Sequence, residues 1–209
     1  GGAVVGDWIF PNGDHAAANA DAYGPRVMVG LAGWLPLTAP GATLFFGLDR
    51  SKDTTRLGGC RTSAYAGAPI EENIQATIAN FANKGADKID TVLLNGVRYQ
   101  ELLIGLGSKV IYDTVTNKET GIGFKGVQIA TPNGNVTVLG DRAAPMDRAY
   151  FLQKDTWSLL TMDEFPELDE DDGSTIRKAL DGTDSYCWDY VGYAQPGCRM
   201  PGKNGVSAL

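Results

Sequence analysis

Glycine most constrains this chain. It supplies 27 of 209 residues, roughly twice the usual share of about 7%, so long stretches must be loop, turn or sharply bent strand. Residues 1–69 show the effect most clearly, with turn signals at Pro11-Asn12-Gly13-Asp14, Tyr23-Gly24-Pro25 and Pro36 to Gly41. Such punctuation breaks a helix before it can nucleate. Between the breaks lie short apolar pieces, Trp8-Ile9-Phe10, Gly30 to Leu35 and Leu44-Phe45-Phe46. They are too hydrophobic for a disordered tail and too short to close a core, so they need another element to pack on.

Regular periodicity starts at Pro69. A proline at the first helical position, Glu71 and Glu72 in the first turn, and Ile70, Ile74, Ile78 and Phe81 at helical spacing predict an amphipathic helix ending near Lys84-Gly85. A short buried strand over Ile89 to Leu94 follows. Next comes a helix from Val97 to Leu106, with Tyr99, Leu102, Leu103 and Leu106 on one side and Gly107 as its stop. From Val127 the period becomes two, and Asn133-Gly134 supplies a hairpin turn before Val136 and Val138 resume the alternation. Ala149 to Gln153 and Trp157 to Met162 read as strands, Tyr186 to Tyr193 as an aromatic strand, and Val206 to Leu209 as a final edge strand. Strands and helices come in runs without regular alternation, which predicts an α+β fold over a doubly wound sheet.

Charge and chemistry-bearing residues exclude much. Eighteen Lys and Arg against 25 Asp and Glu give a net charge of −7, which does not invite non-specific capture of DNA or an anionic membrane. One histidine, His15, rules out a multi-His zinc site within the chain. Cys60, Cys187 and Cys198 form no CxxC and leave one over, so a reducing compartment fits better than a disulfide framework. No apolar run reaches the length of a spanning helix. The chain opens on Gly1-Gly2, without a start methionine or signal-peptide pattern, which reads as a cut, processed or engineered end.

Several strings could carry chemistry but fail on mechanism. Gly121-Ile122-Gly123-Phe124-Lys125-Gly126 matches GxGxxG, yet a β-branched, period-two segment follows it where a phosphate-binding helix N-terminus is needed. Seven carboxylates between Asp163 and Asp172 put Leu168 at the first position of an EF-hand register, so they read as a solvated acidic loop. His15 beside Asp14 could act as a base, but no GxSxG elbow presents a serine to it. The sequon Asn135-Val136-Thr137 and the terminal Ser207-Ala208-Leu209 read as coincidences. No catalytic residue, cofactor or metal is expected.

The order of these pieces resembles the major capsid proteins of tailed bacteriophages with the HK97 fold. The strings that carry the resemblance are Gly30 to Pro36, Leu44 to Arg50, the 69–85 helix with Asp90 to Asn95, Phe124 to Ile129, Val136 to Arg142, Ala149 to Trp157, Val191 to Gln195 and Pro201 to Val206. The resemblance implies an axial domain over 65–165, inserted in a peripheral domain built from 1–64 and 166–209. It also implies an N-terminal arm, extended loop and spine helix, for which this chain has no room. A member of that family is a non-enzymatic subunit that assembles with copies of itself into hexamers and pentamers. It encloses double-stranded DNA without reading its sequence, binds no membrane, and works beside scaffold, portal, protease or decoration proteins. The expected location is the virion, with assembly in the host cytoplasm. Trp34 and Phe46 are then the candidate apolar anchors of subunit contacts, and Arg50, Asp169 and Asp171 the candidate charge partners. The alternatives are a bacterial nanocompartment shell of the same fold and, from another class, a small hydrolase or ligand-binding domain using His15.

Overall fold

The computed structural model describes residues 28–107, 112–116, 123–131, 134–161, 167–168, 177–178, 186–187, 190–191 and 194–209. In chain order the longer elements begin with α1 (Leu31–Trp34), β1 (Leu44–Phe45), β2 (Leu48–Asp49), β3 (Cys60–Thr62), α2 (Ile70–Asn83), β4 (Thr91–Asn95) and α3 (Gly96–Leu106). They continue with β5 (Tyr112–Thr116), β6 (Gly123–Thr131), β7 (Gly134–Asp141), β8 (Arg148–Leu152) and β9 (Trp157–Thr161). Four two-residue strands follow, β10 (Glu167–Leu168), β11 (Arg177–Lys178), β12 (Tyr186–Cys187) and β13 (Tyr190–Val191), then β14 (Ala194–Cys198) and β15 (Gly205–Ala208).

The chain divides into two compact units, Gly1–Val29 with Leu159–Pro196, and Gly30–Ser158 with Gly197–Leu209. In the first, β10 pairs with β13 and β11 with β12, both antiparallel, and the Val29 N–H donates to Gln195 Oε1 at 3.3 Å. The second is built on a seven-stranded mixed sheet in the order β3-β15-β8-β4-β7-β6-β5. β4 runs parallel to β7 and β15 parallel to β3, while the remaining neighbours are antiparallel. This mixed α/β architecture is compatible with a capsid domain.

Period-two alternation explains how the sheet is covered. Val92, Leu94, Ala149 and Phe151 belong to one buried cluster with Ile74, Ile78 and Phe81 of α2 and Leu102 of α3. Their neighbours in sequence, Leu93, Tyr150 and Leu152, join a second cluster with Leu35, Trp34 and Val206. Strands β4 and β8 are therefore packed on both faces, as near-continuous apolar runs should be. The short piece Gly30 to Leu35 finds its support in that second cluster, where Leu35 is fully buried.

The helices begin and end for identifiable reasons. Pro69 sits one place earlier than expected, as the N-cap of α2 with extended backbone, and its carbonyl accepts the Asn73 N–H at 2.9 Å. At the other end Gly85 takes φ +95, and the bonds Gly85 N–H to Ala82 O and Ala86 N–H to Phe81 O form a Schellman motif. Tyr99, Leu102, Leu103 and Leu106 face the core from α3, as their spacing predicts, and Gly107 ends the helix at φ +53. Asn95 starts α3: its Oδ1 accepts the Val97 N–H at 3.0 Å while its Nδ2 donates to Ala144 O at 2.7 Å. Asn95→Ala is expected to cost about 1 kcal/mol, the usual worth of an N-cap, seen as a lower urea midpoint with unchanged slope.

Several expectations shift. The hairpin register pairs Thr131 with Gly134, so Gly134 is the first residue of β7 and not the second residue of the expected turn pair. The last strand is not an edge: β15 lies between β3 and β8, with Val206 and Ser207 fully buried. Its Ser207 hydroxyl shares a buried network with Asn73 and Thr77 on α2, which satisfies three polar side chains at once. The segment predicted as one aromatic strand over Tyr186 to Tyr193 contains two short strands, β12 and β13, that pair with different partners. The last four residues of the GxGxxG string, Gly123 to Gly126, are not a loop before the strand but the start of β6, which the period-two pattern places only from Val127.

Candidate subunit interface

Three of the five contact candidates meet on one feature of the larger unit, the β1–β2 hairpin. Leu44 pairs with Asp49 and Phe45 with Leu48, leaving Phe46 and Gly47 as a two-residue turn with φ +49 and +78. Positive φ at both central positions is the type I′ pattern that suits the strand twist. Glycine adopts it freely, but a phenylalanine there carries strain of about 1–3 kcal/mol. The strain is retained at a residue that is 63% exposed, between Leu44 at 65% and Leu48 at 50%. Its own fold gives this strained tip only partial cover, from the rings of Trp34 and Phe45.

The hairpin is rigidly mounted. Trp34, the last residue of α1, stacks on Phe46 with centroids 5.7 Å apart and 28° between planes. It meets Phe45 edge-on at 5.0 Å and Trp157 edge-on at 6.2 Å. Edge-to-face pairs of this kind add about 0.5–1.5 kcal/mol each beyond burial. Arg50 locks the arrangement: its Nη1 donates to Gly33 O at 2.8 Å and Trp34 O at 3.3 Å, and its guanidinium lies 3.8 Å over the Phe45 ring. Burial, followed by the charge of Arg61, holds the Arg50 guanidinium pKa below its ordinary value. Arg50 thus caps the carbonyl end of α1 and stiffens the hairpin from within. Asp49, whose Oδ1 accepts from both the Ser51 N–H (2.9 Å) and hydroxyl (2.6 Å), fixes the exit from the hairpin. Those hydrogen bonds, the hydroxyl first, keep its carboxyl pKa below the usual range.

Asp169, Asp171 and His15 lie outside the described residues. Among the described residues no group of three His, Cys, Asp or Glu is placed to hold a metal ion, and no helix is long and apolar enough to cross a membrane. Cys60 and Cys198 are free and buried, and burial raises both thiol pKa values.

A family model described as SU10 major capsid protein matches residues 7–181. The chain belongs to this family. The comparison with curated proteins returns no match. Membership in the SU10 major capsid protein family makes the chain a structural subunit of a phage capsid, with its place in the virion and other capsid subunits as its neighbours. This bears out the capsid part of the resemblance and gives the exposed tip a context. In an SU10-type capsid subunit, function is exercised through contacts, and the hairpin presents the residues such contacts favour.

Two residues, Asn204 and Lys203, escaped sequence reasoning. Asn204 is fully buried at the centre of a hydrogen-bond hub, and Trp157 donates its Nε1–H to it at 2.9 Å. That bond aims Trp157 at Trp34, so a loop asparagine in Pro201 to Gly205 supports the aromatic cluster. Nothing in its turn-like setting signals this. Its neighbour Lys203 donates to Gly85 O at 2.6 Å and to Asp87 at 2.9 Å.

Proposed function

We propose that the chain is the repeating subunit of an HK97-like shell, assembling through hexamers and pentamers in the host cytoplasm around double-stranded DNA that it does not read. In this arrangement 65–165 form an axial domain that meets its copies at the symmetry centre, and 1–64 with 166–209 form the peripheral domain. Trp34 and Phe46 are apolar anchors of a subunit contact, Arg50 positions them from beneath, and Asp169 and Asp171 supply rim charges worth little individually. The net charge of −7 suits a container whose wall should not hold phosphates tightly. Copies that meet through different patches of one surface form closed rings where the rotation between them closes, and hexamers and pentamers are that case.

The observation that carries the reading is the exposed Phe46 at positive φ, because stacking on Trp34 leaves most of a strained apolar side chain in water, where a neighbouring molecule would cover it. Sedimentation velocity on the purified protein tests it. Discrete pentamers and hexamers, or megadalton particles, are expected. Phe46→Asn, which tolerates the left-handed turn, should raise the melting temperature of the isolated subunit while shifting assemblies toward the 22.2 kDa species. A wild-type protein that stays monomeric at every concentration, or an asparagine variant that assembles as well as the parent, overturns the assignment.

A further inference from the structure

The larger unit also carries a receptor for such a tip. A cavity of about 350 Å³ opens beside α1, lined by Leu31, Leu93, Ala143, Pro145 and Tyr150, with Asp141 as the charged residue of its wall. Tyr150 is 2% exposed and forms a rigid part of the lining on β8, and the turn after β7 is fixed by the Ala143 N–H donating to Asp141 Oδ1 at 2.9 Å. The cavity is therefore built from packed elements.

We infer that the apolar tip of the β1–β2 hairpin of one copy, led by Phe46, seats in this cavity of the next copy. The inference rests on the shell-subunit reading and names the contact that reading requires. Three observations select a second copy as the occupant. The family is one of capsid subunits, so neighbours of identical sequence are at hand. An apolar cavity of about 150 Å³ suffices for a benzene ring, so this volume takes the Phe46 phenyl group together with a flanking leucine. The charges are opposite in sign: Lys52, whose side chain is 81% exposed beside its ion pair with Asp49, follows the tip, and Asp141 borders the cavity. The knob of each copy enters the cavity of the next and not in return, so the contact proposed is heterologous and propagates from copy to copy.

Paired cysteines test the contact. Phe46→Cys with Ala143→Cys, oxidised in purified particles, should give cross-linked trimers and larger species on a non-reducing gel, while either single variant gives monomer. Intact particles that yield monomer, or dimers alone, overturn the inference without touching the shell reading; wild-type protein that forms no particles removes both. Because Phe46→Cys can itself weaken assembly, Ala143→Cys alone supplies a second measurement with the tip intact. Its labelling by a polar maleimide should slow at least tenfold in particles relative to dissociated subunits. Equal labelling in the two states overturns the proposal, and so does protection that persists in dissociated subunits, since the chain itself would then cover the cavity.

Discussion

Asn204→Ala should remove about 3–5 kcal/mol of stability, counting about 1–3 kcal/mol for each buried polar group left without a partner. The Asn204 side chain ties the segment Gln153 to Trp157 to its own turn at Met200. Its Oδ1 accepts the Gln153 N–H at 2.8 Å and the Trp157 Nε1–H at 2.9 Å. Its Nδ2 donates to Thr156 Oγ1 at 2.9 Å and to Met200 O at 3.0 Å. Alanine keeps the backbone bond from the Cys60 N–H to Asn204 O at 2.8 Å, so the loop stays attached to β3 while its interior partners lose their acceptor or donor. The side chain is 0% exposed, so in the folded protein these groups depend on it and not on solvent. A domain of this size has about 5–15 kcal/mol in all, so the variant should unfold at well under the wild-type urea midpoint. Tryptophan fluorescence should also change under native conditions, because Trp157 loses the bond that orients it toward Trp34 and the hairpin. A midpoint within experimental error of wild type would show that the hub is not a structural centre.

Asn204 also marks where sequence reasoning stops. Elements whose residues repeat with a period were legible: α2 and α3 from apolar spacing, the β6–β7 hairpin from its alternation, β8 from its apolar run. The aromatic pieces around Trp34 and Phe46 were legible as fragments in need of support, and the second face of the sheet supplies it. What could not be read was non-periodic and long-range. β15 looked like an edge strand because four residues say nothing about which strands flank them, and its parallel partner β3 lies more than a hundred positions away. Arg50 read as a surface charge because no local signal says that carbonyls of α1 will converge on its guanidinium. Phe46 was picked as an apolar anchor from its type alone. Its positive φ, the stronger argument for an unmet partner, follows from the two-residue closure between Phe45 and Leu48 and is visible only in the backbone.

The packing between α2 and the sheet gives the second large effect, and it is best measured as a cycle. Phe81 is fully buried and meets Phe151 edge-on, with centroids 5.5 Å apart at 83°. Phe81→Ala should cost about 3–5 kcal/mol, through lost burial and the cavity left in a core that collapses only partly. The ring is admitted only because β15 has no side chain opposite it: a Cβ on Gly205 would overlap the Phe81 ring and lie 2.9 Å from Cys60 O. Gly205→Ala alone should therefore cost about 1–3 kcal/mol by overpacking, since Phe81 cannot move without displacing Phe151. In the Phe81→Ala background the ring is gone, and the added methyl group enters vacated space, with only the Cys60 carbonyl still opposing it. The two losses should then fall short of additivity by about 1–3 kcal/mol, the range for residues in direct contact. Urea denaturation of wild type, both single variants and the double variant measures the coupling. Strict additivity would mean that Gly205 and Phe81 do not share this space, and that the absence of a side chain at the start of β15 has a cause other than the ring it faces.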